Sequence, residues 1–503
     1  MESDLSIVTS CIALVASALL FLLYKRGTST FGYFRRSRNP GPKPIPFIGN
    51  MWGIWKKNFV QNDAALVAEF GKIFGVFDGQ QPNLIVSDPE IIRSVLVEDF
   101  ECFTNKRKYD MPFKFFRKMI LHARDDEWKL IRTSISPAFR AERMTHIIKQ
   151  KSLDLTERLV TIANDSGKFN CRDVFNHFAM EVIAECVFAK KIDCHDNENE
   201  LFMKNAQTAF CPSACKSPAV LIPFVFPKLT TLLAKSMMAP KEFQYFLDIL
   251  EQVIAARAQS DKRYDDFLEA ATELVSKESE EVNGSRVPVW TKEEVDEIVI
   301  AQSCVFLTAG FETTVSTLSN ICLLLARHPE VQDKLHQLTV DKIEEYGKVC
   351  HEMLADFPYV EQVVKEALRL YSPIPRLERQ CNKAVSYDGI DIKEGVIVSV
   401  PVYALHYSEE YYPQPEKFDP DRWSPENKSK NNPYTFVPFG MGPRSCVGMK
   451  FAMDEIKLAL CTLIAKLKFS PAKETPEKVE IENGFHWVIQ TKKFALAVEA
   501  RDK

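Results

Sequence analysis

From Val295 to Ala326 the chain reads VDEIVIAQSCVFLTAGFETTVSTLSNICLLLA, apolar at nearly every helical position rather than along one stripe. A helix of that kind must be buried all round. Its ends are marked: Thr291-Lys-Glu-Glu294 is a capping-box pattern, and Pro329 cannot continue a helix. About 35 residues rising 1.5 Å each make a rod of about 50 Å, so the body around it has to be large. A membrane span is the rival reading, but Gln302, Glu312, Thr313 and Thr314 near the middle would be expensive in hydrocarbon. With 503 residues, no internal repeat and one long polar break, the chain suits one large catalytic body.

A second apolar run, Leu5 to Tyr24, carries no charge and is long enough as a helix to cross a bilayer core of about 30 Å. A cleaved signal would have a shorter apolar region with positive charge before it. Here Glu2 and Asp4 precede the run, whereas Lys25, Arg26, Arg35, Arg36, Arg38 and Lys43 follow it, which leaves the body on the cytosolic side. Asn39 to Asn50, NPGPKPIPFIGN, carries four prolines and reads as a stiff spacer. The expected organisation is an anchor over 1–24, a basic and proline-rich hinge over 25–50, and a catalytic domain over 51–503. Strand candidates at Gly71–Phe77 and Asn83–Asp88 sit among predominantly helical patterns, so the expected class is mainly α with small β-sheets (α+β). Ser276–Arg286, charged and poor in apolar residues, reads as an exposed loop. The formal net charge of −4 and the lack of a basic stripe exclude nucleic acid as a partner.

Thirteen cysteines, an odd number without regular spacing, exclude a complete disulfide framework and favour a reducing compartment. Cys211 and Cys215, with Cys194 and His195 upstream, suggest zinc, but no second close ligand pair follows. Cys446 is different. It lies in FVPFGMGPRSCVGMKFA, Phe436 to Ala452, where Gly440 and Gly442 permit a tight loop. Val447 through Leu463 reads as a helix beginning at the cysteine, so the helix N-terminus favours thiolate, the form that binds metal. One thiolate without a companion at zinc spacing leaves most of a coordination sphere to something else. Haem iron, with four macrocycle nitrogens, fits.

Phe439-x-x-Gly442-x-Arg444-x-Cys446-x-Gly448 resembles the haem-binding loop of the cytochrome P-450 superfamily, the haem-thiolate monooxygenases. Ala309-Gly310-Phe311-Glu312-Thr313-Thr314 resembles that family's oxygen-activation motif. Small side chains at Ala309 and Gly310 let a flat cofactor approach, and the Thr313 hydroxyl can bond a carbonyl one turn back. Glu366-Ala-Leu-Arg369 puts a carboxylate and a guanidinium on one helix face. With Arg422 in KFDPDRW it resembles the family's buried Glu–Arg–Arg network.

The resemblance covers essentially the whole chain and implies the P-450 fold: a long central helix over haem, preceded by an N-terminal transmembrane helix. It implies haem b held by an axial thiolate from Cys446, with Phe439, Gly440 and Ala309 against the cofactor. Trp128, Arg132, Arg379 and Arg444 would serve the propionates, while Lys106 stands where the nearest branch usually has arginine. Thr313 would assist proton delivery and Glu312 would belong to the relay. The implied activity is insertion of one atom of O2 into lipophilic substrates, with membrane lipid near the pocket mouth. Electrons would come from an NADPH-dependent flavoprotein reductase, with cytochrome b5 as a further donor, since the chain has no dinucleotide-binding fingerprint of its own. FDGQQP, RLER and YALH look most like the microsomal branch that oxidises drugs and steroids in animals, placing the protein in the endoplasmic reticulum membrane. A haem-thiolate isomerase or dehydratase and a non-catalytic haem sensor or carrier are the alternatives. Pro218–Leu229 reads as either an interfacial or a core segment, and His406 as a structural histidine at a strand end.

Overall fold

The computed structural model describes residues 2–34, 41–109, 114–139, 142–188, 200–210, 221–225, 241–264, 266–282, 285–387 and 389–501. Cys194, His195, Cys211 and Cys215 lie outside them, as do the ends of the 218–229 segment.

Among the helices are α1 (Glu2–Gly27), α2 (Asp125–Ile135), α3 (Glu142–Asp165), α4 (Cys171–Phe188), α5 (Lys292–Arg327), α6 (Pro358–Leu370) and α7 (Met449–Lys466). Helix α5 is the rod expected from the sequence, 36 residues long. The Thr291 side chain accepts from the Glu294 N–H, the Glu294 side chain answers at the Thr291 N–H, and Pro329 opens the next helix. The two apolar helices long enough to cross a membrane part company in packing: the α1 window is 6% buried and α5 is 72% buried. Core burial, not lipid, therefore satisfies α5, whose Phe306 ring packs on Phe139 at 5.1 Å and on Phe451 of α7 at 5.0 Å.

The sheets are small. Strands β1 (Ile73–Asp78), β2 (Gln81–Val86), β9 (Ile397–Pro401) and β6 (Arg376–Gln380) form a sheet in the order β1-β2-β9-β6, with only β2 and β9 parallel. Strands β10 (Leu467–Pro471), β11 (Ala495–Ala500) and β3 (Lys168–Asn170) make a second sheet, and β7 (Val385–Tyr387) pairs with β8 (Ile390–Ile392). The stretch read as an exposed loop instead contains a hairpin, β4 (Ser279–Val282) against β5 (Ser285–Pro288). Charge content hid it from a reading by composition.

Two further expectations shift. Helix α7 begins at Met449 with Gly448 as its cap, not at Cys446, because the loop keeps non-helical geometry through the cysteine. His406 closes a short helix, Val402–His406, rather than a strand.

Candidate active site

Two glycines shape the cysteine loop. Gly440 has φ +69°, and at Gly442, also at φ +69°, an added Cβ would lie 1.9 Å from the Leu96 carbonyl oxygen. The loop closes where the Cys446 N–H donates to the Phe439 carbonyl at 2.8 Å. Cys446 retains accessible surface although protein encloses it deeply, so its open face turns inward onto a cleft. Burial pushes its thiol upward, opposed by the Gly448 N–H and by the charges of Arg132 and Lys106. The Gly448 N–H at the cap of α7, and after it the two cations, therefore favour the thiolate against the cost of burial.

Cations crowd beside the sulfur. Arg444 donates to the carbonyls of Thr104 (2.8 Å), Ile120 (3.0 Å) and Ala123 (2.8 Å), with its guanidinium 4.0 Å from the Trp128 ring centroid. Arg132 of α2 donates to the Ser445 carbonyl at 3.0 Å. Arg379 on β6 gives one N–H to its neighbour's carbonyl at 2.9 Å, while its buried Nε has no partner. Burial lowers Arg379 to about 10, and burial plus the neighbouring guanidiniums of Arg379, Arg124 and Arg132 lowers Arg444 to about 8. Lys106 falls to about 7 through burial and repulsion from Arg379 and Arg444. Glu378, whose charge acts on Lys106, is itself gripped by Arg107 at 2.9 and 3.0 Å. An under-neutralised set of donors around an inward-facing cysteine is chemically suited to a cofactor with an anionic edge. Haem, carrying two propionates, fits these residues.

Helix α5 supplies the opposite wall. Accessible surface reappears within its buried length at Ala309 and partly at Thr308, Gly310 and Thr313. The Thr313 hydroxyl donates to the Ala309 carbonyl at 2.5 Å, one turn back. Glu312 is turned into the protein, 1% exposed, and ion-paired with Arg172 of α4, which also donates to the Gln490 side chain at 2.8 Å. The Gln302 side chain donates to the Lys118 carbonyl (2.7 Å) and accepts from the Ile120 N–H (2.9 Å), tying α5 to the segment that Arg444 holds.

A separate ionic group stands behind the cysteine loop. Arg369 donates from Nε and Nη2 to both Glu366 oxygens at 2.9 and 2.8 Å, and Arg422 Nε reaches Glu366 at 3.2 Å. The Trp423 indole and the Asp419 N–H complete the carboxylate at 2.9 and 3.1 Å, while three backbone carbonyls accept from Arg369. His406 accepts from the Val437 N–H at 3.1 Å, and burial lowers it to about 3, so the ring is neutral and engaged in the scaffold.

Sequence reasoning overlooked Arg172, Gln302 and Trp423 as members of these groups. Each meets its partner across a large gap in the chain, so no local pattern announced it. A lone arginine opening a helix and a lone glutamine in an apolar run were the only signals.

An inward-facing cysteine, a cation set short of anions and a central helix carrying Thr313 are an arrangement that suits a haem-thiolate enzyme. The family described as Cytochrome P450 matches residues 39–498, and the chain belongs to that family. Cytochrome P450 3A6 of Oryctolagus cuniculus is 36% identical over 496 residues, 97% of this chain and 96% of its own length. Cytochrome P450 3A31 of Mesocricetus auratus is 36% identical over 482 residues, covering 94% and 93%. Cytochrome P450 3A7 of Homo sapiens is 34% identical over 500 residues, covering 97% of each chain. The protein is a cytochrome P450 monooxygenase acting on lipophilic substrates.

Proposed function

We propose that the enzyme binds haem b through the Cys446 sulfur, with Arg132, Arg379, Arg444 and Trp128 holding the propionate edge. Lys106 adds a point charge there, and Phe439, Gly440 and Ala309 line the faces. The single observation that carries this reading is the unpartnered, buried Nε of Arg379 within the cation set beside Cys446. When bound, the group supplies activation of O2 so that one oxygen atom enters the substrate.

The chain's own part is to position and to move protons. The Thr313 hydroxyl, parked on the Ala309 carbonyl, rotates to donate toward the reacting oxygen, and Glu312 replenishes it. Arg172 holds Glu312 oriented through their ion pair. Glu366, Arg369 and Arg422 hold the scaffold behind the loop.

Electrons arrive from an NADPH-dependent flavoprotein reductase, with cytochrome b5 as a second donor. Lys129 and Lys450, both exposed on segments flanking the site, belong to the docking face. Arg140 lies outside the described residues, as does the side chain of Arg143. Residues 1–24 anchor the protein in the endoplasmic reticulum membrane, 25–50 connect, and 51–503 form the cytosolic catalytic domain. Xenobiotics and steroids are the substrate classes that suit this placement.

The test is twofold. Reduced protein under carbon monoxide shows the red-shifted Soret band of sulfur ligation, and its absence overturns the reading. In a system with NADPH, reductase and a lipophilic probe, Thr313→Ala consumes oxygen with little product. Unchanged coupling removes Thr313 from the relay.

A further inference from the structure

The spacer expected after the anchor is fastened to the body before the prolines begin. The Gly27 carbonyl, at the last residue of α1, accepts from the Phe47 N–H at 3.0 Å. Thr30 Oγ1 donates to the Gln80 carbonyl at 2.7 Å, and Ser29 Oγ to the Gln80 side chain at 3.4 Å. The rings of Phe31 and Phe34, both almost wholly buried, pack on Phe77 at 4.9 and 5.4 Å. Only glycine fits beneath Phe34: a Cβ on Gly75 would lie 2.2 Å from its ring. Tyr33 OH donates to the Asp391 carbonyl (3.3 Å) and accepts from the Lys393 N–H (3.1 Å). Five of the six residues from Ser29 to Phe34 thus meet two separate strand pairs, whereas α1 itself leaves Ile12, Leu20, Leu22 and Tyr24 more than half exposed. A flexible tether would need none of these contacts.

The same β1–β2 turn also carries an aromatic rim. Gly79, next to Gln80, meets the Phe224 backbone so closely that a Cβ would lie 2.2 Å from its carbonyl oxygen. Phe224 packs on Trp487 at 6.2 Å, and Trp487 and Ile45 are exposed at 43% and 44%. Aromatic residues with one wet and one apolar face favour the bilayer–water boundary.

We infer that Thr28–Phe34 is a clamp locking the anchor helix to the β1–β2 turn, so that the Phe224–Trp487 rim is held against the lipid surface beside the anchor's exit. The partner is a phospholipid bilayer, and the inference rests on α1 being the membrane anchor. Without the clamp the body would swing about residues 25–50. With it, body and anchor share one orientation.

The full-length holoenzyme is placed in oriented phosphatidylcholine bilayers containing a minor phosphatidylserine fraction, and linear dichroism of the haem band reports body tilt. A single well-defined tilt is expected. A Gly/Ser insertion between Gly27 and Thr28, and separately Phe31→Ala with Phe34→Ala, should abolish most of the dichroism. Both variants should keep the reduced carbon-monoxide band and alkaline-carbonate-resistant membrane association. Dichroism unchanged in the insertion variant overturns the clamp, as does a wild-type signal without preferred tilt. Full-length protein washed off vesicles by alkaline carbonate instead overturns the anchor reading itself.

Discussion

Two buried ionic groups flank the cysteine loop and are built on opposite plans. Around Glu366 every strong donor and acceptor is answered within the chain, by Arg369, Arg422, Trp423, Asp419 and backbone carbonyls. Around Cys446 the cations Lys106, Arg379 and Arg444 repel one another, and one buried N–H goes unanswered. A completed group stabilises the polypeptide by itself, because the desolvation of each ion is offset by its neighbours. An incomplete one burdens the bare polypeptide and is relieved only by a ligand. Charge satisfaction therefore separates scaffold from site more sharply than burial does.

The largest expected effect breaks the site while sparing the scaffold. Cys446→Ser should abolish both the thiolate-type Soret band and turnover. Urea unfolding of the haem-free chain should stay within about 0.5 kcal/mol, since no packed contact is lost. Next, Glu366→Gln or Arg369→Ala should destabilise the protein by about 3–5 kcal/mol, with or without haem, because a buried charge loses its partner. Chemical denaturation or the yield of folded protein checks this, and Arg369→Lys should not rescue, lacking the bidentate fork.

Arg379→Met sharpens the contrast because its sign depends on the cofactor. Haem-free protein should gain about 1–3 kcal/mol as an unsatisfied buried group disappears, whereas the holoenzyme should release haem faster to an acceptor apoprotein. The smallest effect is a slope. Lys106 drops from 10.5 to about 7 on folding, so between those pH values the unfolded chain holds a proton that the folded one lacks. Stability of haem-free protein should thus rise with pH across that window. Lys106→Met should flatten the rise, and bound haem should shrink it by restoring the charged form.

Much of this was legible because it is local. The glycine loop at Cys446, the three-residue step from Glu366 to Arg369 and the capping box at Thr291 each fit within one turn or loop. Loop geometry displaced the start of α7 by three residues, since nothing in the apolar pattern from Val447 onward distinguishes a turn from a first helical turn. Partnerships were harder to read. Arg172 finds Glu312 because α4 packs along α5, and Ser29 and Thr30 find Gln80 through a turn fifty residues on. Such contacts are products of tertiary packing, which periodicity does not encode.

Arg444 joins three carbonyls from Thr104, Ile120 and Ala123 to a loop over three hundred residues away. That rivet makes the cysteine loop and the Thr104–Ala123 stretch mechanically one piece. A bulky guest that strains the turn at Ile120–Ala123 will tug the sulfur's own loop, and the colour of the chromophore should register the strain before any chemistry begins.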